Sequence, residues 1–308
     1  MNEPLVSIVI PTHNRKEKLA RLIKSILESD YPKDKLEIIV VDDASTDGTS
    51  EYIRNLFPQV KVLRNEKEKL VAESRNIGIR ATKGKYIFVI DDDNVIGKNT
   101  IKELVEFMER HPEVGIAGPL MYFLRDPTRI WCAGVERNYW TTITRYIGYN
   151  TRDHGQFKEP YESEDFPNAF MIRRDVIEKV GLFNSRLFPI HYEESDFCRR
   201  VGRAGYKVMV VTSAKVWHDI SLPEQDKTSI YHLKNPLRAY YASRNRILYH
   251  TRWSKNAMQK IFSIISSIMI ALYYISVVLR LDINSKRGMI KALLRGIYDG
   301  IKLVKQLW

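Results

Sequence analysis

Apolar and polar positions along the first 220 residues exchange two periods. Residues 6–10 form an apolar, strand-like stretch broken only by Ser7, after which Leu19, Leu22, Ile23, Ile26 and Leu27 recur at helical spacing. The exchange then repeats. Residues 38–41 read as a strand, Thr46-Asp47-Gly48-Thr49 as a turn and helix start, and residues 60–63 as a third strand. Residues 74–81 follow as a helix and 86–90 as a fourth strand. Short apolar runs separated by amphipathic helices are the pattern of βαβ units around a parallel sheet. Farther on, residues 169–172 predict a strand, 174–180 a helix, 192–204 a helix closed by Gly205, and 208–211 another strand. Residues 121–161 lose this regularity and carry Trp131, Tyr139, Trp140, Tyr146 and Tyr149. They read either as an insertion shaping an acceptor cleft or as exposed packing aromatics.

The tail has a different pattern. Residues 261–279 contain no charge and only four serines among apolar side chains. A helix of that length is roughly 28 Å long, close to the ~30 Å of bilayer hydrocarbon. Beyond Arg280, the residues Ile290, Leu293, Leu294, Ile297, Ile301, Val304 and Trp308 share one helical face, with Lys291, Arg295, Lys302 and Lys305 elsewhere. That is the form of an interfacial helix.

Charge sharpens this division. The net charge of +12 lies wholly in residues 232–308, which hold 14 Lys/Arg against Asp282 and Asp299 and leave 35 of each sign in residues 1–231. A basic tail flanking an apolar run, without a nucleic-acid-binding motif, selects anionic lipid as partner and excludes nucleic acid. Both flanks of the apolar run are basic, so the positive-inside rule orients no single span. A monotopic attachment is expected, and helices packed on protein or in a homodimer through the tail are the alternative. The 308 residues, 44% hydrophobic, suffice for a substantial core and exclude disorder. Cys132 and Cys198 show no CxxC or Cys/His spacing, which fits a reducing compartment. The start at Met1 lacks the basic stretch and cleavage site of a secretory signal, so a cytoplasmic location is expected.

Two acidic clusters end predicted strands, Asp42-Asp43 and Asp91-Asp92-Asp93. Ligands of open α/β sheets collect at such ends. Asp42-Asp43 also reads as a cap leading into the Ser45-Thr46-Asp47-Gly48 turn. Three consecutive aspartates repel one another, and a hard cation such as Mn²⁺ or Mg²⁺ relieves that repulsion while leaving room for substrate phosphates.

The segments Val6-Ser7-Ile8-Val9-Ile10-Pro11-Thr12-His13-Asn14-Arg15, Val40-Val41-Asp42-Asp43-Ala44-Ser45, Ser74-Arg75-Asn76-Ile77-Gly78 and Gly84-Lys85-Tyr86-Ile87 closely resemble the nucleotide-binding half of family-2 glycosyltransferases, in order and in spacing. The resemblance continues through Phe170-Met171-Ile172-Arg173-Arg174, Val180-Gly181-Leu182-Phe183-Asn184, His191-Tyr192-Glu193-Glu194-Ser195-Asp196 and Val216-Trp217-His218, and covers about residues 4–250. It is most similar to the rhamnosyltransferase-like branch. The resemblance implies an α/β, glycosyltransferase A-type fold, a Rossmann-like mixed and mostly parallel sheet flanked by helices, with hydrophobic and amphipathic helices at the C-terminus. It implies a nucleoside-diphosphate sugar donor and inversion at the anomeric carbon.

Carried across, the similarity puts Pro11, Arg15, Asp43, Arg75, Asp91 and Asp92 at the donor, with Asp43 on the nucleobase, Asp91 near the ribose and Arg75 toward the phosphates. Asp93 and His218 would hold Mn²⁺ or Mg²⁺, although a lone histidine after a strand is commonly a surface residue. An inverting transfer needs one carboxylate opposite the leaving group. Glu194 matches the position of the family's aspartate and is the expected base, with Glu193 second, because this chain has Glu-Glu where the family has Glu-Asp. Both open a helix, where the dipole favours anions. Asp196 is expected to orient Arg199 or Arg200, and Tyr240, Tyr241, Arg244 and Asn245 to meet lipid phosphate or headgroups. The expected organisation is a catalytic domain over residues 1–231, with a donor-binding half to about 120 and an acceptor half beyond, followed by a membrane-associating tail over 232–308. The expected function is transfer of a hexose or deoxyhexose to a lipid-linked or polymeric glycan acceptor at the cytoplasmic face of the cell membrane. The alternative is a nucleotide-sugar-binding membrane protein without turnover.

Overall fold

A computed structural model describes residues 3–224, 235–280 and 285–307. The chain divides into two compact units. The first comprises Met1–Glu136, Tyr146–Pro189 and Glu193–Ile220, and the second Arg137–Arg145, Ile190–Tyr192 and Ser221–Trp308.

The first unit begins with alternation of the predicted kind: β1 (Val6–Thr12), α1 (Lys16–Leu27), β2 (Leu36–Asp42), α2 (Thr49–Leu56), β3 (Lys61–Arg64), α3 (Leu70–Arg80) and β4 (Tyr86–Ile90). These four strands run parallel in the order β3-β2-β1-β4. Parallel strands covered on both faces must be apolar throughout, and every residue of β1 and β4 is buried. Helix α3 lies so close to the sheet that a Cβ at Gly78 would come within 2.3 Å of Val9 Cγ1. Only glycine fits there.

The chain continues with β5 (Asn94–Ile96), α4 (Thr100–Arg110), β6 (Val114–Phe123), β7 (Asp126–Cys132), β8 (Val135–Arg137), β9 (Thr144–Tyr146), β10 (Tyr161–Glu162), β11 (Ala169–Arg173), α5 (Arg174–Val180), α6 (Glu193–Arg203) and β12 (Lys207–His218). The main sheet has the order β10-β12-β6-β11-β4-β1-β2-β3, with β5 beside β12 and β7 beside β6, and β8 and β9 form a separate ribbon. Along that path β11 is antiparallel to both neighbours, while β6 and β12 are parallel. The sheet is mixed and mostly parallel, as expected. Residues 121–161, which have no clear period in the sequence, hold strands after all: β6 runs on to Phe123, and β7 to β10 follow. Their signal is weak because β7 starts at a half-buried, polar sheet edge.

The second unit contains α7 (Pro236–Arg252), α8 (Ala257–Arg280) and α9 (Lys286–Leu307). Asn235 caps α7 by accepting from the Arg238 amide at 2.9 Å, and Pro236 opens the helix. The apolar face read from the sequence for α9 is redrawn. Met289, Leu293, Gly296, Gly300 and Val304 are the buried side, whereas Leu294 is 49% exposed. The glycines decide this, since a Cβ at Gly296 would stand 2.0 Å from Ser243 Oγ and 2.4 Å from the Tyr240 carbonyl of α7. Trp308, assigned to the same face, lies outside the described residues. Tyr139, Tyr192 and Tyr249 surround His250, with ring centroids 5.6, 6.0 and 5.2 Å away. Burial, with Arg137 and Arg246 nearby, keeps that imidazole neutral.

Candidate active site

The C-terminal ends of β1, β2 and β4 put three short loops at one edge of the first unit. In the β1 loop Asn14 is left-handed, with φ of 55°, and its amide donates to Ser45 Oγ at 2.9 Å while its side-chain oxygen accepts from the Thr46 amide at 2.7 Å. The β1 and β2 loops are thereby locked together. Asp42 serves this turn: it accepts from the Ser45 amide at 2.8 Å, from Ser50 Oγ, and from Arg64 at 3.2 Å. Asp43 points the other way. Its carboxylate accepts from Asn65 Nδ2 at 2.7 Å and from the amides of Lys69 and Leu70 at 2.9 and 2.8 Å, which orders the start of α3. Pro11 lies within β1, paired with Val41.

Asp91-Asp92-Asp93 follows β4 directly, and its three carboxylates diverge. Asp92 accepts from Thr12 Oγ1 at 2.7 Å and from Arg15 at 2.9 Å. Its burial raises the pKa to about 6, with Asp93 adding to the rise and Arg15 opposing it. Asp93 accepts from Arg15 at 2.9 Å on one oxygen and faces His218 Nε2 at 3.2 Å on the other. Burial acts to raise it as well, but His218, Arg15 and Lys18 hold it well below the ordinary carboxylate range. The β5–β12 register explains the meeting, because His218 pairs with Asn94, the residue after Asp93. Trp131 closes over the imidazole edge-on, centroids 4.5 Å apart.

The donor set beside Asp93 suits a divalent cation. One carboxylate oxygen and one imidazole nitrogen stand together, and a cation of the Mn²⁺ or Mg²⁺ type completes its shell with phosphate oxygens and water. No group of three or more His, Cys, Asp or Glu side chains able to hold a metal occurs among the described residues. A cation at this place would therefore take two protein ligands.

The sequence suggests the donor phosphates for Arg75. The structure gives its guanidinium, 1% exposed, to carboxylates: Asp91 at 2.7 Å, Glu194 at 2.7 Å and Glu193 at 3.2 Å. Arg75 sits one turn before Gly78, so the tight α3–β1 packing fixes its depth. Three carboxylates around one buried cation keep it charged against the desolvation that opposes charge. Glu194 also accepts from the Asn168 amide at 2.8 Å, and Asn168 holds a left-handed φ of 78° just before β11. Burial pushes the Glu194 carboxyl up to about 8; Arg75 works against this, and Glu193 and Asp91 work with it. Asp196, one turn into α6, binds Arg200 at 3.0 Å.

Arg15, Asp91, Asp92, Asp93, Arg75, Glu193, Glu194 and His218 thus fall into two adjoining clusters, while Asp43 joins neither. Sequence reasoning missed Thr12 and Asn168. The second left a trace in the Pro167-Asn168 pair, a turn signal immediately before a strand. It also missed Asp219, which binds Lys18 and Arg21 at 3.2 and 2.6 Å and whose amide donates to the Asp93 carbonyl at 2.8 Å.

Comparison with known proteins agrees with this fold. Glycosyltransferase GlyG of Streptococcus pneumoniae serotype 4 is 25% identical over 187 residues, 60% of this chain and 62% of GlyG. The poly(ribitol-phosphate) beta-N-acetylglucosaminyltransferase TarS of Staphylococcus aureus is 28% identical over 108 residues, 34% of this chain and 19% of TarS. The chain thus spans less than two thirds of either relative. Among solved structures, a mannosyltransferase of Pyrobaculum calidifontis in complex with GDP-Man and Mn²⁺ superimposes with a TM-score of 0.59 at 15% identity, over 100% of this chain and 89% of that one. A S. aureus TarS fragment in complex with UDP-GlcNAc gives 0.57 at 17% identity, over 98% and 83%. These neighbours share the glycosyltransferase A-type fold. The model of glycosyl transferase family 2 matches residues 7–181, more than half of the sequence, and the chain belongs to that family.

Proposed function

We propose that this protein is a metal-dependent, inverting glycosyltransferase of the rhamnosyltransferase-like branch. It moves a hexose or deoxyhexose from a nucleoside-diphosphate sugar to a lipid-linked or polymeric glycan acceptor at the cytoplasmic face of a membrane. Residues 1–231 carry the chemistry and 232–308 the attachment. One observation supports this above the others. Asp91 has its carboxylate in the Arg75–Glu194 cluster, and Asp93, two residues on, has its own against His218. Two residues span at most ~7 Å of backbone, so the two clusters adjoin at the end of β4. A base and a diphosphate site on opposite sides of one sugar ring are what a single inverting displacement requires.

Asp93 and His218 would hold Mn²⁺ or Mg²⁺, which supplies neutralisation of the charge developing on the leaving diphosphate. Arg15 shares a hydrogen-bonded network with Asp92 and Asp93 and orients both carboxylates. Glu194 takes the proton of the acceptor hydroxyl as that oxygen attacks the anomeric carbon. Arg75 anchors Glu194 through one oxygen and holds Glu193 and Asp91 beside it. Asp43 braces the loop at the start of α3, from which the nucleobase is read.

A thermal-shift titration with UDP, GDP and dTDP, each with and without Mn²⁺, tests the donor assignment, since a ligand bound by the native state alone raises stability. Product formation from the radiolabelled sugar of the best nucleotide then tests turnover. A metal-dependent shift without product would leave a nucleotide-sugar-binding protein, and no shift with any nucleotide would remove the proposal.

A further inference from the structure

Helix α8 is long and apolar enough to cross a membrane, with a mean hydropathy of 2.2 and 22% of its most apolar stretch buried. Three of its polar residues are turned inward. Gln259, Ser263 and Ser267 are buried, while Ile261, Phe262, Ile265, Met269, Leu272 and Tyr273 are 49–64% exposed. A loop of the same unit extends this surface. Trp140, 44% exposed, meets Phe262 edge-on with centroids 5.7 Å apart, and Ile143 is 56% exposed. Ser266 Oγ donates to the Trp140 carbonyl at 3.0 Å.

Resting on the reading of a membrane-attached enzyme, we propose that this face docks on an anionic bilayer with α8 lying in the membrane plane and the Trp140–Ile143 loop beside it at the level of the headgroups. Three features oppose a crossing. The loop is bound along the N-terminal half of α8, at Phe262 and Ser266, which a crossing would carry into the hydrocarbon, where irregular backbone facing lipid is not tolerated. Helix α7 lies antiparallel along the C-terminal half of α8, joined by Arg246 to Tyr274 at 3.3 Å and by packing of Ala239 near Val278. It carries Arg238, Arg244, Arg246 and Arg252, which a spanning α8 would draw into lipid at high cost. Both ends of α8 are basic, with Lys255 and Lys260 at one and Arg280, Lys286 and Arg287 at the other.

Charge complementarity selects the lipid. On α9 the stripe Ile290, Leu294 and Tyr298 runs beside Arg287, Lys291 and Arg295 and lines an apolar groove. Basic residues bordering exposed apolar side chains match anionic headgroups above acyl chains. Tryptophan at the boundary fits the headgroup level.

Flotation of the full chain with phosphatidylcholine vesicles, with and without about one third phosphatidylglycerol, tests the docking. Binding is expected to the anionic vesicles and to weaken on pure phosphatidylcholine. Trp140→Ser with Ile143→Ser should lower the partition coefficient by about tenfold or more and leave the nucleotide-dependent thermal shift unchanged. Unaltered binding of that double variant would overturn the role of the loop. Lys255→Cys and Lys286→Cys bracket α8, and a membrane-impermeant maleimide added outside preformed vesicles should label both fully. Protection of one end would mean that α8 crosses, and failure of the full chain to float would mean that the face meets protein. Either result overturns the proposal. Absence of the nucleotide shift would instead remove the catalytic reading and leave this one standing.

Discussion

The pH dependence of turnover follows from the position of Glu194. Its carboxyl, ordinarily near 4.5, is lifted to about 8 by burial, with Arg75 as the opposing influence. Below that value the group is protonated and cannot accept the acceptor's proton. At pH 7 about one molecule in eleven carries the ionised base, so kcat/KM should fall about tenfold per pH unit below 8 and level off above it. Stability must run the other way. A carboxyl whose folded pKa lies above its unfolded value is ionised more easily in the unfolded chain, so stability is greatest in acid and is lost as pH rises through the interval between the two. From pH 6 to pH 8 the loss should be about 2 kcal/mol.

Glu194→Gln separates the two effects. The amide oxygen can still accept from the Asn168 amide, so donor affinity should stay within about twofold, while turnover falls by about 10²–10⁴. The variant should also lose the decline in stability between pH 6 and 8. The assays are initial rates with radiolabelled donor from pH 6 to 9.5 and urea melts across the same range. A flat rate profile, or near-normal turnover in Glu194→Gln, refutes the assignment. If Glu193→Gln is the inactive variant instead, the base is its neighbour.

Other perturbations address the rest of the site. Asp93→Ala should abolish the Mn²⁺ dependence of the nucleotide thermal shift and of donor use, and full activity of that variant in a chelator would dismiss the cation. Arg75→Met leaves three carboxylates without their shared cation and should cost about 3–5 kcal/mol at pH 8. Protonation of Glu194, whose carboxyl burial already pushes up to about 8, should shrink the deficit at pH 5, which paired urea melts would measure. Membrane attachment should resist high salt and yield to detergent. Half-burial of the eight large apolar side chains exposed on α8 contributes roughly 8 kcal/mol, against ~1 kcal/mol for each surface cation. Fractionation of the full chain checks this, and recovery in the soluble fraction without detergent would refute it.

What the sequence discloses and what it withholds have a common physical origin. The strand ends are legible because a buried parallel strand must be apolar and must stop where polar groups reach solvent, so residues 86–90 followed by Asp91-Asp92-Asp93 mark both an element and a site. The partners are not legible. Arg75 meets Glu193 across 118 positions only because α3, pinned by Gly78, and the start of α6 converge, and nothing local to either segment encodes that meeting. His218 is legible through its resemblance to a motif, but its distance from Asp93 is a product of the β5–β12 register. That register lies beyond a shift between Val211 and Lys215, where polar Thr212 and Ser213 cut the apparent strand short of its true end.

Helix α7 fails for a related reason. Its buried side includes Ser243, Arg244, Asn245 and His250, so no apolar stripe announces it. On α9 the contact is made by absent side chains at Gly296 and Gly300, which a count of apolar residues does not register. Periodicity reports how each segment meets its average surroundings. A site built from buried charges and close backbone contacts departs from that average at the residues that matter most, and for those the chemistry of the side chain is the only early guide. That guide singles out the carboxylates that gather at the ends of the strands and leaves Arg75 open, since its charge could answer either a phosphate or the acids beside it.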